Sequence, residues 1–299
     1  MHCGIVCAVQ TNRLLNTAAK RELAASESIR KAPVVGLETM NGGAVRLVAP
    51  TRGALLVFEG IDRSGKSSQA KLLYERLVKE GVKAKLLGFP DRSTPVGKLI
   101  SAALAGKSKP PPQVLHLLFA ANRWELQPQM NQWLNDGFVL IVDRYSFSGL
   151  AYSTTAANYL AAAAAASKAV AKENSEHFEE EVQAAVPIGE AFAKATEEGL
   201  PTPDRVFFLD IKPEDTLGRE GYGEEVYESL ELQRMVYSAY AKFGTLPYWR
   251  SFSVKGLSSA DVHLMILAEV KALFDQLRIK EEKEAAGGAC KIQRALLWG

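Results

Sequence analysis

The sequence predicts an α/β fold: a five-stranded parallel sheet with helices on both faces. Three observations carry that expectation. Short apolar runs alternate with amphipathic helical stretches from residue 54 onward, the order of repeated strand–helix–strand units. A glycine-rich motif, Gly60 to Ser67, falls between the first apolar run and the first amphipathic one. The chain has 299 residues, 47% hydrophobic and 23% charged, enough to bury a full core and unlike a disordered, collagen-like or coiled-coil chain.

The elements follow in order. Ala54–Glu59 reads as a buried strand, and Gly65–Lys79 as a helix with Leu72, Leu73, Leu77 and Val78 at helical spacing. Lys83–Phe89 is the second strand. Pro95–Leu104 and Val114–Trp124 are helices, the latter opened by the run Pro110–Pro112. Phe138–Val142, Arg205–Ile211 and Trp249–Val254 complete the strands. Glu225–Phe243 and Ser258–Glu284 are long helices. In such folds ligands bind at the carboxyl ends of the strands.

Composition excludes several classes. Lys and Arg number 36 against 34 Asp and Glu, a net charge of +2, so a nucleic-acid-wrapping protein is not expected. The longest nearly pure apolar run, Tyr159–Ala166, is too short to span a bilayer, and no membrane partner is expected. Cys3, Cys7 and Cys290 form no disulfide framework and fit a reducing, intracellular setting. His2, His116, His177 and His263 show no zinc spacing.

Three regions stand apart from the core domain, 51–285. Residues 1–50 carry six Lys/Arg against three Glu and no Asp, which reads either as a transit peptide or as an extension without an address. The first reading would send the chain to a mitochondrion or chloroplast, the second leaves it in cytoplasm or nucleus. An Ala-rich insertion, about 156–198, holds Ala161–Ala166 and the acidic run Glu179–Glu181. Helix and low-complexity excursion are equally consistent with it, and it is assigned no chemistry. The tail, 286–299, reads as a frayed end. Oligomeric state is left open, a homodimer included.

The motif Gly60-Ile-Asp-Arg-Ser-Gly65-Lys66-Ser67 matches the phosphate-binding P-loop, with the strand before and helix after that it requires. Its glycines let successive N–H groups face an anion, and the helix N-terminus adds positive potential. Lys66 is expected on the β- and γ-phosphates and Ser67 on Mg²⁺; Asp62, Arg63, Ser64 and Ser68 are counted with the ATP site. Asp143, closing the third strand, is the candidate Mg²⁺-organising carboxylate. Arg63, Arg92 and Arg144 come from three strand-end loops, more cation than one triphosphate needs, which suggests a second phosphate-bearing ligand. Phe119 and Arg123 are four residues apart on one helix, a plate and a fork able to hold a base, though spacing alone favours a core Phe with a surface Arg.

Phe89-Pro90-Asp91-Arg92-Ser93-Thr94, Leu117 to Trp124, Asp143-Arg144-Tyr145-Ser146-Phe147-Ser148-Gly149 and Gly199-Leu200-Pro201-Thr202-Pro203-Asp204 together resemble the thymidylate kinase family, in its eukaryotic type with an arginine in the P-loop. The resemblance implies a P-loop nucleoside monophosphate kinase fold and transfer of the γ-phosphoryl group of ATP to dTMP, with Mg²⁺. It implies that Asp62 bonds the 3′-hydroxyl, that Arg63 bridges the transferring group and that Arg92 and Arg144 hold the acceptor phosphate. Phe119 would stack on thymine, Arg123 would bond its O4, and Tyr152 would lie under the sugar. Phe89 and Gly149 belong to the same substrate motifs. Arg219 would sit in the lid near adenine, with Tyr227 as the lid tyrosine. The catalytic set is then Arg63, Lys66 and Arg144. A deoxynucleoside kinase and a non-catalytic nucleotide switch are the alternatives; only the monophosphate kinase gives Arg92 and Arg144 a phosphate to hold without asking for a general base.

Overall fold

Ala54–Glu59 forms β1, and every one of its residues is buried. Side chains of a strand alternate between faces, so complete burial means that both faces are covered. The computed structural model describes residues 47–159, 187–218 and 229–286. Around β1 lie β2 (Ala84–Gly88), β3 (Val139–Asp143), β4 (Arg205–Asp210) and β5 (Trp249–Ser253), all parallel, in the order β2-β3-β1-β4-β5. The expected fold class is the observed one: a five-stranded parallel sheet layered with helices.

The helices are α1 (Lys66–Lys79), α2 (Pro95–Leu104), α3 (Pro112–Asn135), α4 (described over 146–159), α5 (Glu190–Ala195), α6 (Leu230–Tyr240) and α7 (Ser259–Ala286). Thr94 caps α2, its hydroxyl accepting from the Gly97 N–H at 2.9 Å, with Pro95 at the first helical position where no N–H is needed. Two boundaries differ from expectation. The helix expected to end at Trp124 runs on to Asn135, through the exposed Pro128, because Met130 and Leu134 continue its buried stripe one turn apart. The helix expected to reach Phe243 ends at Tyr240 and tightens into a 3₁₀ turn, Ala241–Thr245, which buries Phe243.

Strand register positions the site. Asp143 lies level with Phe58 on one side and Gly88 on the other. The loops leaving β1, β2 and β3 therefore emerge side by side. At the opposite end, Asp204 pins β4 to β1: its carboxylate accepts from Leu55 N–H at 2.8 Å and from Arg52 at 2.6 Å, and its own N–H donates to Leu55 O at 2.9 Å. The Gly-Leu-Pro-x-Pro-Asp motif thus ends on a structural clamp. Phe58 stacks on Phe207 at 5.0 Å between centroids, and Phe147, Phe208, Tyr240, Phe243 and Trp249 form a second aromatic cluster beyond β4. Residues 1–46, most of the insertion, Arg219, Tyr227 and the tail from 287 lie outside the described residues. Among the described residues, no helix is long and apolar enough to cross a membrane.

Candidate active site

The loop after β1 turns on glycines. Gly60 has φ 145°, and a Cβ there would lie 2.9 Å from the Leu209 carbonyl; Gly65 has φ 100° and opens α1. Arg63, half-buried, is also left-handed at φ 63°, which a non-glycine residue adopts only when the surrounding structure imposes it. Ser64 is buried; Ser67 and Ser68 are exposed on the first turn of α1. Lys66 is buried with its ammonium 2.5 Å from Ile61 O and 3.3 Å from Ser64 Oγ. Burial, with help from the Arg144 charge, pulls the Lys66 pKa down to about 8, against the pull of Asp62, Asp143 and Glu59.

Ser67 Oγ donates to Asp143 Oδ2 at 2.5 Å, so α1 and β3 bring the hydroxyl and the carboxylate into one place. The other oxygen, Asp143 Oδ1, is buried and has no hydrogen-bond partner. A buried, unsatisfied carboxylate oxygen beside a hydroxyl suits Mg²⁺, which takes few protein oxygens and draws the rest of its shell from phosphates and water. Among the described residues, no group of three or more His, Cys, Asp or Glu comes together.

Arg144 follows Asp143 in the left-handed region, at φ 67°. That turn aims it back across the mouth of the P-loop, where its guanidinium pairs with Asp62 and lies 5.3 Å from the Tyr152 ring centroid. Asp62 also accepts from Tyr152 OH at 3.0 Å and from Gln233 Nε2 at 2.7 Å, while its N–H donates to Gln233 Oε1 at 3.2 Å. Burial opposes ionisation of Asp62, but Arg144, Lys66 and these hydrogen bonds hold its carboxyl below the usual range. Burial beside Asp62 pushes the Tyr152 phenol far up, so it stays a neutral donor.

Of the nine residues expected at the acceptor site, eight line one cleft beside the P-loop: Asp62, Phe89, Arg92, Phe119, Arg123, Arg144, Gly149 and Tyr152. The ninth, Tyr227, and the lid residue Arg219 lie outside the described residues. Spacing alone had favoured a core Phe and a surface Arg on α3, and the structure reverses it. Phe119 is only partly buried and lines the cleft, whereas Arg123 is 2% exposed. Its guanidinium is held by Glu197, with Nε 2.8 Å from Oε2 and Nη2 on Oε1. Glu197 lies in the stretch to which no chemistry was assigned. That assignment is corrected, since the last residues of the stretch fold onto α3.

Four further residues, Asn122, Gly97, Glu59 and Gln233, escaped the sequence reading. Asn122 is buried and stitches the loop bearing Arg92 to α3: it accepts from Asp91 N–H at 2.7 Å and donates to Asp91 O at 3.2 Å and Thr94 Oγ1 at 2.9 Å. Gly97 lets that loop sit close, for a Cβ would fall 1.8 Å from Asp91 O. Glu59, fully buried behind the P-loop, accepts from Tyr145 N–H at 2.8 Å, Ser148 N–H at 3.1 Å, Ser148 Oγ at 2.6 Å and Tyr240 OH at 2.9 Å. A carboxylate closing an apolar strand was a visible signal for Glu59. Gln233 and Glu197 had none, because their partners are 171 and 74 residues away.

The fold is that of a P-loop nucleoside monophosphate kinase, with the glycine loop at the end of β1 and an arginine-lined cleft beside it. The thymidylate kinase family model matches residues 58–177. A thymidylate kinase of Homo sapiens is 35% identical over 79% of this chain and 97% of its own, and one of Arabidopsis thaliana is 34% identical over 98% of both chains. The solved thymidylate kinase of Candida albicans superposes with a TM-score of 0.60 at 32% identity, covering 77% of this chain and 95% of its own. The chain belongs to the thymidylate kinase family, phosphotransferases that act on dTMP.

Proposed function

We infer that this chain transfers the γ-phosphoryl group of ATP to dTMP, giving ADP and dTDP. The observation that supports it best is the meeting of Asp62 and Arg144 at the mouth of the P-loop, which joins the triphosphate cradle to the cleft holding Arg92, Phe119 and Arg123. Lys66 and the loop N–H groups hold the donor's phosphates. Arg92 and Arg144 hold the acceptor phosphate, and Arg63 meets the charge that develops as the phosphoryl group moves. Phe119 stacks on the base and Tyr152 packs beneath the sugar. Ser67 and Asp143 would hold Mg²⁺, which would neutralise phosphate charge. A monophosphate is already anionic near neutral pH, its second pKa being about 6, so no residue need act as base. Catalysis is positioning and charge complementarity.

Coupled ADP release measured over a panel of acceptors tests this reading. Turnover should require Mg²⁺ and dTMP, and thymidine should not replace dTMP. dUMP should be poorer by roughly 10–200-fold, the worth of one methyl in an apolar pocket. Turnover with thymidine would favour a nucleoside kinase, and tight ATP binding without monophosphate-dependent turnover would favour a nucleotide switch. Residues 1–50 are read as an extension to the kinase domain; deleting 1–46 should leave turnover nearly unchanged and shift localisation if the segment is an address.

A further inference from the structure

Arg123 presents a problem of charge. A thymine ring is neutral, yet the side chain assigned to it is a cation, 2% exposed, in a cleft that also contains Arg92 and Arg144. An isolated buried cation is costly, and it would draw the acceptor's phosphate toward the wrong end of the cleft. Glu197 removes both difficulties. Its side chain is wholly buried, and the pair exchanges two parallel hydrogen bonds through Nε and Nη2 of Arg123. A guanidinium has five N–H groups. With two taken by Glu197, those left for a ligand are on Nη1 and the second position of Nη2. Gly149 closes the other side, for a Cβ there would lie 2.6 Å from Nη2 and 3.4 Å from Nη1.

The turn bearing Glu197 is itself clamped to α3. Thr196 O accepts from Trp124 Nε1 at 2.8 Å, and Thr196 Oγ1 is 2.9 Å from His116 Nε2. Gly199, at φ 98°, lets the chain pass over Trp124, where a Cβ would come within 2.9 Å of the ring. The carboxylate is thus held as firmly as the guanidinium it orients.

We propose that Glu197 is a positioning residue for base recognition: it neutralises Arg123 and fixes the direction of its remaining N–H groups, so that the cleft reads a keto oxygen by geometry and leaves the acceptor phosphate to Arg92 and Arg144. This rests on the reading of the cleft as the dTMP site. Glu197 acts through Arg123 and touches no reacting atom.

The test compares Glu197→Gln, Glu197→Asp, Arg123→Met and the double variant Arg123→Met/Glu197→Met, which leaves no buried charge. Steady-state constants are measured for dTMP, dCMP and ATP. Glu197→Gln should raise the KM for dTMP roughly tenfold, within the ten- to hundredfold span of a charged hydrogen bond, and erode the preference for dTMP over dCMP. The kcat and the KM for ATP should stay within about threefold, since the phosphate end is untouched. Arg123→Met and the double variant should share one raised KM, because Glu197 has nothing to act through once Arg123 is gone. Glu197→Asp keeps the charge but withdraws it by one methylene; it should also raise the KM for dTMP, and it decides the matter if the Gln variant does not fold. Wild-type KM and base preference in Glu197→Gln or Glu197→Asp, with Arg123→Met impaired, would overturn the role of Glu197 alone. A wild-type KM in Arg123→Met would instead overturn the reading of the base site beneath it.

Discussion

Replacing Glu59 probes the junction on which the site is built. Its carboxylate holds two backbone N–H groups, of Tyr145 and Ser148, and two hydroxyls, of Ser148 and Tyr240, in a place without solvent. Glu59→Ala strands both amides, at about 1–3 kcal/mol each, and opens a cavity besides, so a loss of about 4 kcal/mol is expected. Glu59→Gln differs in kind. Its oxygen can accept both amides, and its amino group can donate to the two hydroxyls, which are free to turn; the expected loss is about 1 kcal/mol. Burial pushes the Glu59 carboxyl above its ordinary value against the hydrogen bonds that favour its charge. A raised carboxyl pKa means that the folded protein holds the proton more tightly than the unfolded chain. Its contribution is therefore fullest below the ordinary value of 4.5 and declines as pH rises through the folded pKa. Glutamine cannot ionise, so the deficit of Glu59→Gln should be largest in acid and shrink toward neutrality. Urea unfolding of the three proteins across pH, read at constant m, measures this. An alanine variant within about 1 kcal/mol of wild type, or a glutamine variant as damaged as the alanine one, would refute the reasoning.

Three other outcomes are expected. Arg63→Ala should lower kcat by roughly 10³-fold or more while the Kd for ATP stays within about tenfold, and single-turnover transfer beside direct ATP binding separates the two; Arg63→Lys should recover only part of the loss, lacking the planar fork. Asn122→Ala frees the loop that carries Arg92, so the KM for dTMP should rise several-fold with the KM for ATP unmoved, and stability should fall by about 2 kcal/mol for the stranded Asp91 amide; equal effects on both substrates would place the damage elsewhere. Burial holds the His116 pKa below its ordinary 6.5, so the unfolded chain takes up the proton first and stability should decline as pH falls below about 6.5, levelling once the folded pKa is passed. His116→Gln should flatten that slope between about pH 7.5 and 5.5 in urea unfolding, and an unchanged slope would exclude His116 as its source.

Much of this protein was legible along the chain because the chemistry is local. Strand periodicity, the run from Gly60 to Ser67 and Asp143 at the close of an apolar strand are each readable within a few residues, and each sits at the strand end where the reading put it. Phe89, Arg92, Phe119 and Tyr152 were found through motifs, and they share one cleft because parallel strands in register bring their loops to one edge. Sequence alone determined the sheet, the glycine loop at the end of β1 and which loops would face it, since these follow from side-chain alternation and from backbone geometry set by neighbouring residues. Spacing alone mistook Arg123 for a surface cation where the motifs placed it in the cleft, and the sequence was silent on Glu197, Gln233 and the direction of Asp62. Those were decided by tertiary structure. The charge state and orientation of a buried ionic group depend on the partner that replaces its water, and here the partners come from α6 and from the far end of the insertion, at separations over which the sequence carries no pattern.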